Sequence, residues 1–190
     1  MDGRGRYQLA DALGDTPETV ISIHLLRQGL CRAYVFGGQE DFAAALIQPT
    51  EDPGEPTAFG EDVPALWQLL RLATDWWCVN VSASLAHELA AIMERELRCS
   101  VRLYGDVYHT LRQPSPPFDN PAVRLLTIDD LPLAEGAPTE VRGTGFGSQR
   151  AMLSDGIVAG AVISGGLAAI AFTSAMTERH ADIGVATLER

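Results

Sequence analysis

The sequence predicts an α+β fold (mixed α/β), a mostly antiparallel sheet flanked by helices and preceded by a smaller mixed α/β domain. Three observations predict it. Helix-like and strand-like apolar patterns alternate through residues 1–115. Residues 113–121 then hold four prolines in nine positions, which continue neither helix nor sheet and stiffen the chain. After that run, two apolar stretches meet at Gly165-Gly166, a hairpin signature, and a further strand-like stretch follows. The expected organisation is an N-terminal accessory domain over 1–115, a linker over 116–121 and a second domain over 122–190.

Each element has its own signal. Thr16 and Pro17 suit a helix start, the apolar run reaches Leu26, and Gly29 suits the stop. Residues 31–36 and 42–47 read as strands around Gly37-Gly38. Residues 49–64 hold four prolines and several acids and read as a loop. Leu66, Leu69, Leu70 and Ala73 have helical spacing, residues 77–81 read as a strand, and Leu85, Leu89, Ile92, Met93 and Leu97 form a core-facing helical stripe. Residues 101–108 read as a returning strand. Beyond the prolines, 122–128 read as a short strand, 129–132 as a helical turn, 142–148 as a glycine-rich segment and 150–154 as a short helix.

Residues 156–177 carry no charge, and 22 residues are long enough to span a bilayer. Fourteen of them are Gly, Ala, Ser or Thr, whereas a span would be richer in large apolar residues and would usually carry aromatic or basic anchors at its ends. The Gly165-Gly166 break divides them into two strands instead. Residues 181–188 then supply a third consecutive strand.

Composition excludes several classes. The chain has 190 residues, 46% of them apolar, which rules out disorder over most of its length. The charge of −11 disfavours nucleic acid and anionic membranes as partners. All 14 basic residues are arginine, so Schiff-base and Walker-type lysine chemistry is excluded. Cys31, Cys78 and Cys99 lie far apart in apolar stretches and read as small buried residues, with neither disulfides nor a metal site. This points to a reduced, cytoplasmic setting, and the N-terminus lacks the apolar core of a signal peptide.

The stretch GIVAGAVISGGLAAIAFTSAMTERHADIGVATLER, together with NPAVRLLTIDDLP, resembles the GNAT superfamily of acetyl-CoA-dependent N-acetyltransferases. The resemblance covers residues 120–190, where ADIGVATLER is similar to the family's fourth strand. It implies direct transfer of an acetyl group from acetyl-CoA to a small-molecule or peptide amine, without a metal. It also implies that backbone groups of Val185, Ala186 and Thr187 hold the pantetheine arm and the acetyl carbonyl. The family's Arg-x-x-Gly-x-Gly/Ala pyrophosphate loop would begin after Arg190. The chain is therefore expected to be C-terminally truncated and to bind acetyl-CoA weakly. A non-catalytic ligand-binding or interaction module of the same fold is the alternative. The mixed order of the first 115 residues is compatible with a degenerate half of the same kind.

The general base is sought by alternation. Glu178, His180 and Asp182 share one parity, and His180 has the natural pKa for removing a proton near neutrality. Gly184 is read as a possible bulge beside the site. Arg142 to Gly147 matches the pyrophosphate pattern but precedes the hairpin, and it reads as a flexible loop near the acceptor. His24 reads as a packed core histidine, and Trp67, Trp76 and Trp77 as core or interdomain packing. The acids at 51, 52, 55, 61 and 62 form a loop of negative potential suited to a cationic amine. The open edge of the last strand suggests a homodimer.

Overall fold

The computed structural model describes residues 1–189 apart from 112, 114, 117 and 118. The chain divides into two compact units. The first comprises Met1–Gly14 and Leu25–Tyr108, and the second comprises Asp15–His24 and the chain from His109 onward. The fold is α+β, and both sheets are antiparallel.

In the first unit, α1 (Gly3–Leu13) is capped by Asp2, whose carboxylate accepts the Gly5 amide at 2.8 Å. The sequence hides this helix, because two glycines in its first turn lower its propensity. Buried Leu9 and Ala10 hold it in place. Helix α2 (Val20–Gln28), whose residues up to His24 group with the second unit, begins later than Pro17 suggests. The Thr16 amide donates to Thr19 Oγ1 at 2.9 Å, which keeps residues 16–19 in a turn.

Strands β1 (Cys31–Gly37), β2 (Phe42–Pro49) and β3 (Thr57–Gly60) pair in sequence order. The predicted hairpin is present, with an irregularity between Phe36 and Gly37. Strand β3 lies inside the predicted loop, and four residues are too few to show alternation. Strand β2 is buried on both faces, from Ala44 to Gln48. Helix α3 (Val63–Leu70) packs over this sheet, and Asp62 caps it by accepting the Ala65 amide at 2.9 Å. Helix α4 (Ala83–Leu97) adds Leu89 and Met93 to the core of Leu46, Leu66 and Leu70.

Two strand predictions fail here. Within 77–81 only Asn80 pairs, in a single parallel bridge with Thr57. Residues 101–108 form no strand, and Tyr104 and Val107 stand 74% and 75% exposed. Their β propensity has no neighbouring ladder to complete it. Cys99 is exposed, not buried, whereas Cys31 and Cys78 are half-buried. Burial pushes the Cys31 thiol up to about 11 and raises that of Cys78. Trp67 is core and Trp76 packs beside it, but Trp77 is 74% exposed.

In the second unit the order is β4 (Val123–Leu125), α5 (Leu131–Glu135), α6 (Gln149–Asp155), β5 (Val158–Ile163), β6 (Gly166–Met176) and β7 (Ala181–Thr187), and the strands lie side by side in that sequence. Strand β4 is shorter than predicted because Thr127 opens a capping box with Asp130. Arg124 grips Asp130 at 2.5 and 2.8 Å, and this pairing holds the Asp130 carboxyl down to about 2. The β5–β6 turn falls on Ser164 (φ 53°) and Gly165 (φ 82°), one residue before the predicted pair. Two consecutive positive φ angles match the twist of a tight hairpin. No helix among the described residues is long and apolar enough to cross a membrane.

The core packs Leu131, Val141 and Met152 against Val158, Ile170 and Phe172. Leu125, Ala159, Ala171 and Val185 align across the four strands, and both ends of that row are exposed. Gly184 is not a bulge. The register shift lies on β6 between Thr173 and Ala175, and Gly184 sits beneath the Phe172 ring. A Cβ at Gly184 would stand 2.6 Å from that ring, so Gly184→Ala should destabilise the fold by about 1–3 kcal/mol. Thr127→Ala should cost about 1 kcal/mol through the lost cap. Urea denaturation of both variants checks the order.

Candidate functional site

The site forms where β7 begins. Thr177 and His180 close the turn between β6 and β7, with the Thr177 amide donating to the His180 carbonyl at 2.9 Å. Thr177 Oγ1 accepts the His180 amide at 3.1 Å and donates to Asp15 Oδ1 at 2.8 Å. His180 Nδ1 lies 2.9 Å from the same Asp15 oxygen. An ionised carboxylate only accepts, so Nδ1 bears a hydrogen and points it at Asp15, which leaves Nε2 as the outward ring nitrogen. His180 is 25% exposed and Asp15 18%. The pair is thus sheltered yet reachable.

Burial alone would raise the Asp15 carboxyl. Hydrogen bonds from His180 and Thr177, the charge of His180 and the Arg179 amide outweigh it and hold the group below its ordinary 3.8. Asp15 Oδ2 is buried and has no partner among the described residues.

The three predicted base residues do not act as one row. Glu178 is exposed in the turn, and strand alternation begins only at Ala181. Asp182 is half-buried and accepts a hydrogen bond from the Ser174 hydroxyl. Ser174 is the extra residue of the β6 irregularity, next to Ala175, the register partner of Asp182. The actual partner of His180 is Asp15, 165 positions away. Its sequence signal, Asp-Thr-Pro, reads equally well as a helix start.

The predicted backbone positions divide by direction. The Leu188 amide donates to the Ala168 carbonyl at 3.0 Å. By alternation Ala186 and Gly184 also face β6, whereas the amides and carbonyls of Ile183, Val185 and Thr187 face the open edge. Val185 and Thr187 therefore offer free backbone groups, and Ala186 does not.

The segment from Arg142 to Gly147 is packed, in contrast to the expected flexible loop. Arg142 donates to the carbonyls of Ala137 and Glu135 at 2.8 and 2.9 Å. Phe146 is buried, and a Cβ at Gly145 (φ 99°) would stand 1.9 Å from the Ser174 carbonyl oxygen. His24 is a core histidine, as read from the sequence. Its Nε2 lies 3.0 Å from the Gly145 carbonyl, its Nδ1 3.3 Å from that of Met176, and its ring meets Phe146 edge-on. His87 and His109 are exposed. No cluster suited to a metal ion occurs among the described residues.

No family model matches the chain, and no curated protein matches it. One solved structure is similar, a GCN5-related N-acetyltransferase-like protein from Streptococcus suis. The likeness spans 98% of this chain and 76% of that one, at 15% identity and a TM-score of 0.48.

The lowered Asp15 carboxyl sets an acid dependence. Its ionised form adds stability above pH 3.8, and that contribution is withdrawn as pH falls below 3.8 toward the folded value. Asp15→Asn should flatten the stability–pH profile in that window while leaving the neutral fold intact. Urea midpoints measured through the acid range check it.

Proposed function

We propose that the second unit is an acyl-transfer module that acetylates a primary amine, with acetyl-CoA as donor. The observation that carries this reading is the Asp15–His180 pair at the head of a strand whose outer edge is open. The acceptor ammonium must lose a proton before its nitrogen attacks a thioester carbonyl. His180 Nε2 takes that proton, and Asp15 steadies the imidazolium through Nδ1. The C–N bond forms, the C–S bond breaks, and the thiolate leaving group is protonated as the thiol. Asp182 and Glu178 lend negative potential that draws the cation toward His180.

The edge of β7 suits the donor. Pantetheine carries two amides, and an extended amide chain can add to a strand edge as a further strand would. Val185 and Thr187 supply the outward N–H and C=O groups for that pairing. The arginine and glycines of 142–147 are committed to packing, so the pyrophosphate has no cradle there. Affinity resting on edge pairing alone is expected to be weak. The reading takes a small-molecule or peptide amine as acceptor and the cytoplasm as the place of action.

Thiol release from saturating acetyl-CoA, followed over a panel of primary amines, tests the proposal. His180→Gln should lower kcat about 100-fold or more while leaving donor binding intact. Asp15→Asn should lower kcat less and shift the pH–rate profile. Full activity in His180→Gln would overturn His180 as base. Amine-independent thiol release across the whole panel would overturn the transferase reading.

A further inference from the structure

The first unit holds a small polar notch that the acyl-transfer reading does not use. Gln48, fully buried at the end of β2, donates through Nε2 to the carbonyls of Pro53 at 2.9 Å and Thr74 at 2.5 Å. Those two acceptors fix the amide's orientation. Its Oε1 therefore points away from them, and it has no partner among the described residues. A buried acceptor left unpaired costs free energy, so the position favours a donor from outside.

Gln48 lines a notch of about 50 Å³ whose other walls are Arg32, Pro49, Thr50, Pro53 and Asp75. The two prolines bring carbonyls and no N–H, and Asp75 brings a carboxylate. Arg32 is the one cationic wall, and its side chain is exposed. The adjoining loop adds Glu51, Asp52 and Glu55, so acids outnumber it. Beside Pro53, Gly54 lies against the indole of Trp77, which is 74% exposed. An exposed tryptophan face attracts organic cations.

We propose that this notch binds a primary ammonium head group. The –NH3+ donates to Gln48 Oε1 and to Asp75, and its carbon tail leaves toward Trp77. The notch has room for this, since a water-sized group needs about 10–15 Å³ of such space. A tetramethylated nitrogen has no N–H to give. The proposal stands apart from the transferase reading, because it involves only residues of the first unit.

Titrating methylammonium chloride into the 15N-labelled chain tests it, with sodium chloride and tetramethylammonium chloride at equal ionic strength as comparisons. The expected result is a saturable shift of the Gln48 side-chain amide signals with methylammonium alone. Asp75→Asn should weaken that binding about tenfold through loss of a charge-assisted hydrogen bond. Asparagine tolerates the φ of 62° at this position, so the variant should keep its fold. A shift that never saturates, an equal response to sodium or tetramethylammonium, or unchanged affinity in Asp75→Asn would overturn the proposal.

Discussion

One carboxylate oxygen, Asp15 Oδ1, holds the turn on which the candidate site depends. It accepts from Thr177 Oγ1 and from His180 Nδ1 at once. The first bond fixes the turn and the second fixes the ring. Thr177 Oγ1 also takes the His180 amide, so backbone and side chain of one residue are set by two neighbours. Loss of the second bond would free the imidazole to rotate, and the direction of its Nε2 would no longer be defined. Asp15 thereby ties a segment near the N-terminus to β7, and residues 15–24 accordingly group with the second unit.

The β6 irregularity is the second constraint. Strand alternation makes every side chain's direction depend on register. One extra residue at Ser174 changes the phase between the two ends of β6. Toward the hairpin, Phe172 lies over Gly184 and builds the core. Toward the turn, Ser174 meets Asp182. The same strand thus serves packing at one end and a polar site at the other. Gly145 reinforces this end, because its missing side chain lets the 143–147 segment rest on the Ser174 backbone. His24 then bridges that segment and the last residue of β6 through two carbonyls.

Much of the fold was legible because it rests on local signals. The leucine stripe of α4, the β1–β2 hairpin and the three C-terminal strands each announce themselves in spacing and turn residues. What was not legible depends on partners distant in sequence. Helix α1 has a glycine-rich start and is held by burial. Strand β3 is too short to alternate, and residues 101–108 have a strand's composition without a strand beside them. The site divides the same way. His180 stands out in the sequence by its chemistry and its place before a strand. Asp15 does not, because pairing over 165 positions leaves no periodic trace. Glu178 and Asp182 do not share one strand row, because Glu178 lies in the turn and alternation begins only at Ala181.

A sequence pattern for phosphate binding needs amides that remain free in the fold. The Arg142 to Gly147 segment shows why the pattern alone is insufficient. Its glycines permit close approach, but here the approaching group is the protein's own backbone and the Met152 and Phe172 side chains. Its arginine satisfies carbonyls at the end of α5 instead of an anion. The open edge of β7 has the opposite character. Its outward groups come from alternation, whatever side chains it carries, so Val185 and Thr187 would present them equally well as other residues. Edge recognition of this kind is insensitive to side-chain identity. Under the proposed reading, chemical selectivity would come from the turn that carries His180, where geometry depends on Asp15 and Thr177 and on nothing the strand edge supplies.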